Sequence, residues 1–196
     1  MDYSFDNQVL ELSDFTKLFG HTPGAVSLSL KIALVGYPAT GKTTFLRKFT
    51  DQVTPPTHIP SSTLDLASEV IRMPNGLVVE VFLYDVPGQT QYIELPKLFA
   101  NRCHGVIYFF AHHYAYSFNR LEYLLKFTEK YFLGNCYKLI VGNQFSNREN
   151  EIQPYEAYEF AGQKGLDYIK IDLVNDSKVV DQCIAYFISK FIKEES

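Results

Sequence analysis

The sequence has no tryptophan, only three cysteines, no long basic cluster and no long apolar run. Its cysteines, Cys103, Cys136 and Cys183, are widely separated and lack metal-type partners, which predicts reduced thiols in an intracellular protein. A net charge of −4, with no basic cluster longer than Arg47-Lys48, disfavours nucleic-acid binding. No apolar run approaches the roughly 20 residues that span a bilayer. Neither end carries a leader or lipidation signal, so we expect a cytoplasmic protein without an intrinsic membrane anchor.

The length of 196 residues fits one domain whose core needs no disulfide or metal. We expect that domain to occupy residues 29–194 and residues 1–28 to form an N-terminal arm. Spacing in the arm predicts a helix with four apolar residues on one face: Val9, Leu12, Phe15 and Phe19. This helix would either pack on the domain, respond to a ligand or lie on a membrane. The arm is acidic, and an anionic membrane would repel it, so packing is favoured.

The most informative stretch is Gly36-Tyr-Pro-Ala-Thr-Gly-Lys-Thr43, which matches the phosphate-binding loop pattern Gly-x-x-x-x-Gly-Lys-Thr. An apolar run of strand type, 31–35, precedes it, and a stretch with helical spacing, 43–49, follows it, as the pattern requires. Glycines let successive backbone N–H groups surround a diphosphate at the N-terminus of the helix. Lys42 would reach the β- and γ-phosphates, and the Thr43 hydroxyl would bind Mg²⁺. The predicted nucleotide-binding residues here are Gly36, Ala39, Thr40, Gly41, Lys42, Thr43 and Thr44.

Strands and helices alternate along the rest of the chain. Residues 64–73 and 77–84 read as a β-hairpin, with Asn75-Gly76 supplying the positive φ angles of its turn. Proline and hydroxyl residues mark 54–63 as a loop. Further strands are expected at 104–111, 137–142 and 166–172, and helices at 91–102, 115–133, 154–164 and 176–193. This order predicts an α/β fold with three layers, in which helices cover both faces of a mostly parallel sheet.

A second motif, Asp85-Val-Pro-Gly-Gln89, follows the second hairpin strand. A carboxylate at a strand end beside bound phosphates is well placed to hold Mg²⁺ through water, which is the role we expect for Asp85. The Gly88 N–H would contact a γ-phosphate, and Gln89 would orient an attacking water. The motif is weak alone but becomes specific downstream of a phosphate loop.

With these motifs the chain resembles the small GTPases of the Ras superfamily, most nearly the Rab-like branch, over residues 31–191. Ser117-Phe-Asn-Arg-Leu121 and Val141-Gly-Asn143 match two further family motifs. The resemblance implies the P-loop NTPase fold, with a six-stranded sheet and about five helices. It also implies GTP and GDP as ligands, Mg²⁺ as cofactor, and slow GTP hydrolysis with Lys42 and Gln89 as catalytic residues. Protein effectors and regulators would bind through switch segments at 52–64 and 86–100.

The chain departs from the family at the switch hydroxyl and at the base site. Ser61 occupies the position of the metal-binding switch threonine, with Ser62 and Thr63 as alternatives. The guanine motif Asn-Lys-x-Asp is replaced by Asn143-Gln144-Phe-Ser146, and the last motif, Ser-Ala-Lys, by Asp172-Leu-Val. The family's aspartate accepts hydrogen bonds from guanine N1 and N2, and a neutral serine cannot accept both. We therefore expect base recognition through Asn143, Gln144 and Ser146 to be weaker and less selective.

Two functions are consistent with this sequence. In the first, the protein is a nucleotide-dependent switch that binds GTP or GDP with Mg²⁺ and hydrolyses GTP slowly. In the second, it is a pseudo-GTPase binding module, a soluble subunit of a trafficking or ciliary complex whose nucleotide is absent, static or not guanine-specific. The retained phosphate-site residues favour the first function, and the altered guanine motif favours the second. A third possibility is an NTPase that accepts ATP.

Overall fold

The structure is a computed structural model that describes residues 15–18, 26–52, 64–88, 103–129 and 136–195. Within these ranges a seven-stranded sheet is flanked by helices on both faces. The strands are β1 (Thr16–Lys17), β2 (Leu28–Gly36), β3 (Asp65–Arg72), β4 (Val78–Asp85), β5 (Gly105–Ala111), β6 (Tyr137–Asn143) and β7 (Asp167–Ile171). The helices are α1 (Lys42–Phe49), α2 (Ala115–Asn119), α3 (Leu121–Glu129), α4 (Pro154–Gln163) and α5 (Val179–Glu195).

The sheet has the strand order β1-β3-β4-β2-β5-β6-β7. Strand β3 runs antiparallel to both of its neighbours. The other five strands, β4, β2, β5, β6 and β7 in sheet order, are parallel to one another. The prediction of a three-layer α/β fold with a mostly parallel sheet is therefore confirmed, and the described part of the chain contains one strand more than expected. Parallel order brings the carboxyl ends of β2, β4, β5, β6 and β7 to one edge, where ligands bind in open α/β sheets.

The additional strand, β1, lies in the predicted N-terminal arm. It pairs antiparallel with β3, and Lys17 also forms a 2.8 Å ion pair with Asp51. The prediction of a helix through residues 9–19 is therefore wrong at residues 16–17, which form a strand. Pairing with the free edge of β3 satisfies backbone groups that an edge strand otherwise leaves exposed, and this outweighs the helical spacing. Residues 1–14 and 19–25 lie outside the described ranges, and the division of the chain at residue 28 stays a prediction.

The β3–β4 hairpin forms as predicted, but its turn differs in detail. Gly76 has a φ of 86°, whereas Asn75 is not among the residues with positive φ. The Gly76 N–H donates to the Met73 carbonyl and the Met73 N–H to the Leu77 carbonyl. The connection is therefore the expected three-residue loop, 74–76, but Gly76 alone takes a positive φ, and the positive φ predicted for Asn75 is wrong.

The strands bury both faces, and their side chains alternate between two cores. In β5, Ile107 and Phe109 join the cluster under α1 and α5, while Val106, Tyr108 and Phe110 join the cluster under the helices on the other face. This explains why the central strands read as continuous apolar runs.

The remaining predicted elements agree with the structure apart from small differences at their ends. Of the helix expected over 115–133, the described part forms α2 and α3, separated at Arg120, which keeps right-handed helical angles, and residues 130–133 lie outside the described ranges. The predicted loop 54–63 and helix 91–102 lie outside the described residues. No helix among those described is long and apolar enough to cross a membrane. All three cysteines are free of disulfides.

Candidate nucleotide-binding site

The loop between β2 and α1 is shaped for a close approach of backbone to ligand. A methyl group added at Gly36 would lie 2.4 Å from the carbonyl oxygen of Phe109 on the neighbouring strand, so only glycine fits there. Gly41 has a φ of 105° immediately before α1 begins at Lys42. Ala39 also has a positive φ, of 63°, which glycine would adopt without strain. The N–H groups at the start of α1 have no partner within the helix and are free to bind an anion.

Lys42 is held inside this loop. Its side chain is 5% exposed, and its Nζ donates to the carbonyl oxygens of Gly36 at 2.9 Å and Tyr37 at 3.0 Å. Burial lowers the pKa of the Lys42 amine to about 8, although the negative charge of Asp85 favours the protonated form. The ammonium group is thus fixed at the inner side of the loop, in the position where it can meet the phosphates of a ligand.

Thr43 and Asp85 form the candidate metal site. Asp85 ends β4 beside β2, opposite Leu34, and the Thr43 hydroxyl donates to Asp85 Oδ2 at 2.5 Å. Burial raises the pKa of the fully buried Asp85, with Lys42 and Thr43 opposing that rise. Asp85 Oδ1 has no hydrogen-bond partner among the described residues. A buried, unpaired carboxylate oxygen is costly, and with the Thr43 hydroxyl it supplies the hard oxygen ligands that suit Mg²⁺.

Gly88 lies against the phosphate loop itself. A methyl group there would be 2.6 Å from both the Gly36 carbonyl oxygen and the Pro38 nitrogen. The two motifs that the sequence separates by about forty residues thus meet at one place. Gln89, Ser61 and most of the two predicted switch segments lie outside the described residues, so their predicted roles stay predictions.

Asn143 connects the phosphate loop to the base side of the site. It ends β6, is 1% exposed, and donates from Nδ2 to the Thr40 carbonyl at 3.3 Å. Its Oδ1 accepts the Leu173 N–H at 3.3 Å. Asn143 therefore joins the phosphate loop to the loop that follows β7. Thr40 is also buried and bonds within the loop to the Tyr37 carbonyl.

The other predicted binding residues lie close by. Thr44 is half-buried in the first turn of α1, and Gln144 follows β6 with its N–H donating to the Ile171 carbonyl at 2.7 Å. Ser146 is exposed two residues further on. Its hydroxyl donates to Asp172, a contact that sequence reasoning did not locate. The sequence feature that could have indicated this contact is the acidic residue in the last motif, Asp172.

This architecture defines a P-loop nucleotide-binding protein. A family model described as the Ras family matches residues 31–192, so the chain belongs to the Ras family. The chain is similar to the Ras-related protein RABD2a of Arabidopsis thaliana, at 26% identity over 84% of this chain and 80% of the relative. It is 25% identical to the Ras-related protein Rab-1 of Theileria parva (76% and 68% covered) and 23% identical to the GTP-binding protein YPT1 of Saccharomyces cerevisiae (84% and 79% covered). It is a Rab-like small GTPase of the Ras superfamily.

Proposed function

We propose that this protein is a molecular switch that binds GTP and GDP with Mg²⁺ and hydrolyses GTP slowly. The observation that carries the proposal is the complete phosphate end of the site. Lys42 is buried and aimed into the loop, and Thr43 is bonded to an Asp85 carboxylate whose second oxygen is unpaired. Asp85 Oδ1 lacks a hydrogen-bond partner among the described residues, and a cation bound together with a polyphosphate would supply one.

We assign the binding of the phosphates, the cation and the attacking water to separate groups of residues. Backbone N–H groups of the loop and Lys42 bind and orient the phosphates, and Thr43 and Asp85 hold the cation together with Ser61. Mg²⁺ would neutralise charge on the β- and γ-phosphates. We assign the contact with the γ-phosphate to the N–H of Gly88, which lies against the loop and is followed directly by Gln89. We assign to Gln89 the orientation of the attacking water, as the resemblance implies.

Release of the γ-phosphate would relax the segments at 52–64 and 86–100, which we propose as the binding surface for effectors and regulators. In the family these segments are ordered by γ-phosphate contacts. A second candidate function is a binding module whose nucleotide is static or absent. The observation in its favour is the neutral Ser146 in the guanine motif.

Replacing Gln89 with leucine separates these two functions. Loss of the water-orienting amide should slow single-turnover GTP hydrolysis at least about tenfold while GTP affinity is retained. Hydrolysis is measured by phosphate release from preloaded protein. Gln163→Leu, an exposed substitution at the end of α4, is the matched control and should hydrolyse GTP at the wild-type rate. Equal turnover in Gln89→Leu and wild type would exclude Gln89 from the mechanism, and no turnover in either would favour the binding module.

A further inference from the structure

At the base site, the carboxylate and the hydroxyl of two family motifs stand at each other's positions. The guanine motif has Ser146 where the family has aspartate, and the last motif has Asp172 where the family has serine. In the structure these two side chains touch, and the Ser146 hydroxyl donates to Asp172 Oδ2. The site therefore still contains one hydroxyl in contact with one carboxylate, but the loop after β6 now supplies the hydroxyl and the loop after β7 supplies the carboxylate.

The Asp172 carboxylate is fixed in place by the backbone of its own loop. Its Oδ1 accepts the N–H groups of Val174 at 2.9 Å and Asn175 at 3.0 Å. Its Oδ2 accepts hydrogen bonds from side chains only, the Ser146 hydroxyl and the Asn175 amide at 2.9 Å. Both of these donors are exposed and can rotate away. Oδ1 thus anchors the group, and Oδ2 is the oxygen that a ligand can reach by displacing a rotatable donor.

Asp172 is also charged at neutral pH. Partial burial alone would raise the pKa of the Asp172 carboxyl, but the hydrogen bonds from Ser146, Asn175 and Val174 lower it below the ordinary value. An ionised carboxylate accepts hydrogen bonds and donates none. Once its two exposed donors turn away, Oδ2 can therefore pair with two donors on a ligand but not with an acceptor.

The loop that carries Asp172 borders the phosphate loop. The next residue, Leu173, donates its N–H to Asn143, which in turn bonds the Thr40 carbonyl. A methyl group at Gly41 would lie 2.8 Å from Leu173 Cδ1. Asp172 is thus one residue from the contact that joins the base side to the phosphate side.

Three other carboxylates lie in the loops after β6 and β7, and they are less suitable. Glu151 accepts the Ala115 N–H at 2.7 Å, and Asp176 accepts the Lys178 N–H at 2.9 Å. Glu149 is exposed. Among the hydrogen bonds of the described residues, only that of Asp172 joins a carboxylate to Ser146.

We propose that Asp172 is the residue that selects guanine over adenine in this protein, through its Oδ2 atom. The inference rests on the proposed nucleotide-binding function. Guanine presents two donors on one edge, N1–H and the 2-amino group, and a carboxylate can accept both. Adenine has an acceptor at N1 and no 2-amino group, so it would leave the carboxylate unpaired and place a lone pair against it.

The test is Asp172→Asn, which keeps the size of the side chain and its Oδ1 contacts. The affinities of GDP, ADP and xanthosine diphosphate are measured by competition in Mg²⁺. Xanthine carries a carbonyl where guanine has the 2-amino group, so a carboxylate repels it and an amide N–H donates to it. Preference for GDP over ADP should fall at least about tenfold and affinity for xanthosine diphosphate should rise at least about tenfold. The gain of xanthine binding is a result that simple damage to the loop would not produce.

Asp176→Asn is the matched control, because it removes a neighbouring carboxylate from the same loop and should leave all three affinities unchanged. The exchange variant Ser146→Asp/Asp172→Ser should keep the guanine preference, whereas Ser146→Asp alone brings two carboxylates together and should weaken GDP binding. An Asp172→Asn protein with unaltered base preference would overturn the inference and leave the proposed function standing. A wild-type protein that binds GDP and ADP equally would also overturn it, and one that binds neither would overturn the proposed function as well.

Discussion

Replacing Lys42 with methionine should abolish tight nucleotide binding and leave the fold intact. Two of the three Lys42 N–H groups donate to the Gly36 and Tyr37 carbonyls, so the third would supply one charge-assisted hydrogen bond to phosphate, worth about 1.5–3 kcal/mol. Together with the lost attraction between the ammonium and the phosphate charges, this should lower GDP and GTP affinity at least about 100-fold. Methionine preserves the unbranched stem that is buried in the loop. Removing the buried charge removes its desolvation cost but leaves the Gly36 and Tyr37 carbonyls without this donor, so the nucleotide-free protein should still fold, with a melting temperature lower by a few degrees.

Titration calorimetry with GDP in Mg²⁺ measures this effect, and Lys48→Met provides the control. Lys48 lies in the last turn of the same helix, α1, so its loss changes the net charge equally but lies away from the phosphate loop. Its GDP affinity should equal that of the wild type. If Lys42→Met bound GDP as tightly as Lys48→Met, the phosphate site would not lie in this loop.

Replacing Gly36 with alanine should strongly destabilise the fold. The new methyl group would lie 2.4 Å from the Phe109 carbonyl oxygen, which is fixed in the centre of the sheet and cannot rotate away. Separating β2 from β5 to admit it should cost about 3 kcal/mol of unfolding free energy. For a protein of this size that corresponds to a melting temperature lower by about 6–12 °C, measurable by circular dichroism.

Gly162→Ala is the matched substitution for this experiment. Gly162 lies on α4, and an added methyl group there meets no atom within 4 Å. Alanine favours the helix over glycine, so this variant should be more stable by up to about 1 kcal/mol. Similar destabilisation of both variants would mean that the contact between Gly36 and Phe109 is not as close as the structure has it.

The sequence predicts the fold and the phosphate end of the site well because their signals are local. The phosphate loop occupies eight consecutive positions, and the Asp85 motif follows its own strand directly. Continuous apolar runs predict the buried parallel strands without knowledge of their order. Parallel topology brings the ends of β2 and β4 to the same edge of the sheet, which is why Thr43 and Asp85, 42 positions apart, could both be predicted as metal ligands.

Two features could not be predicted, because each depends on contacts between distant segments. Strand β1 is too short to have a periodicity of its own, and it exists because β3 offers a free edge. The Ser146–Asp172 contact joins two residues 26 positions apart in the sequence. Each of them, taken alone, indicates that a family motif has been lost. Read separately they indicate a degenerate base site, whereas together they conserve the hydroxyl and the carboxylate.

Identification of the nucleotide that co-purifies with the full chain tests the central claim most directly. The protein is purified in Mg²⁺ and denatured, and the released nucleotide is separated by chromatography; GTP and ATP are then compared in competition. Our account predicts bound GDP or GTP and a preference for GTP over ATP of at least about tenfold. An empty protein, or one loaded with adenine nucleotide, would contradict it.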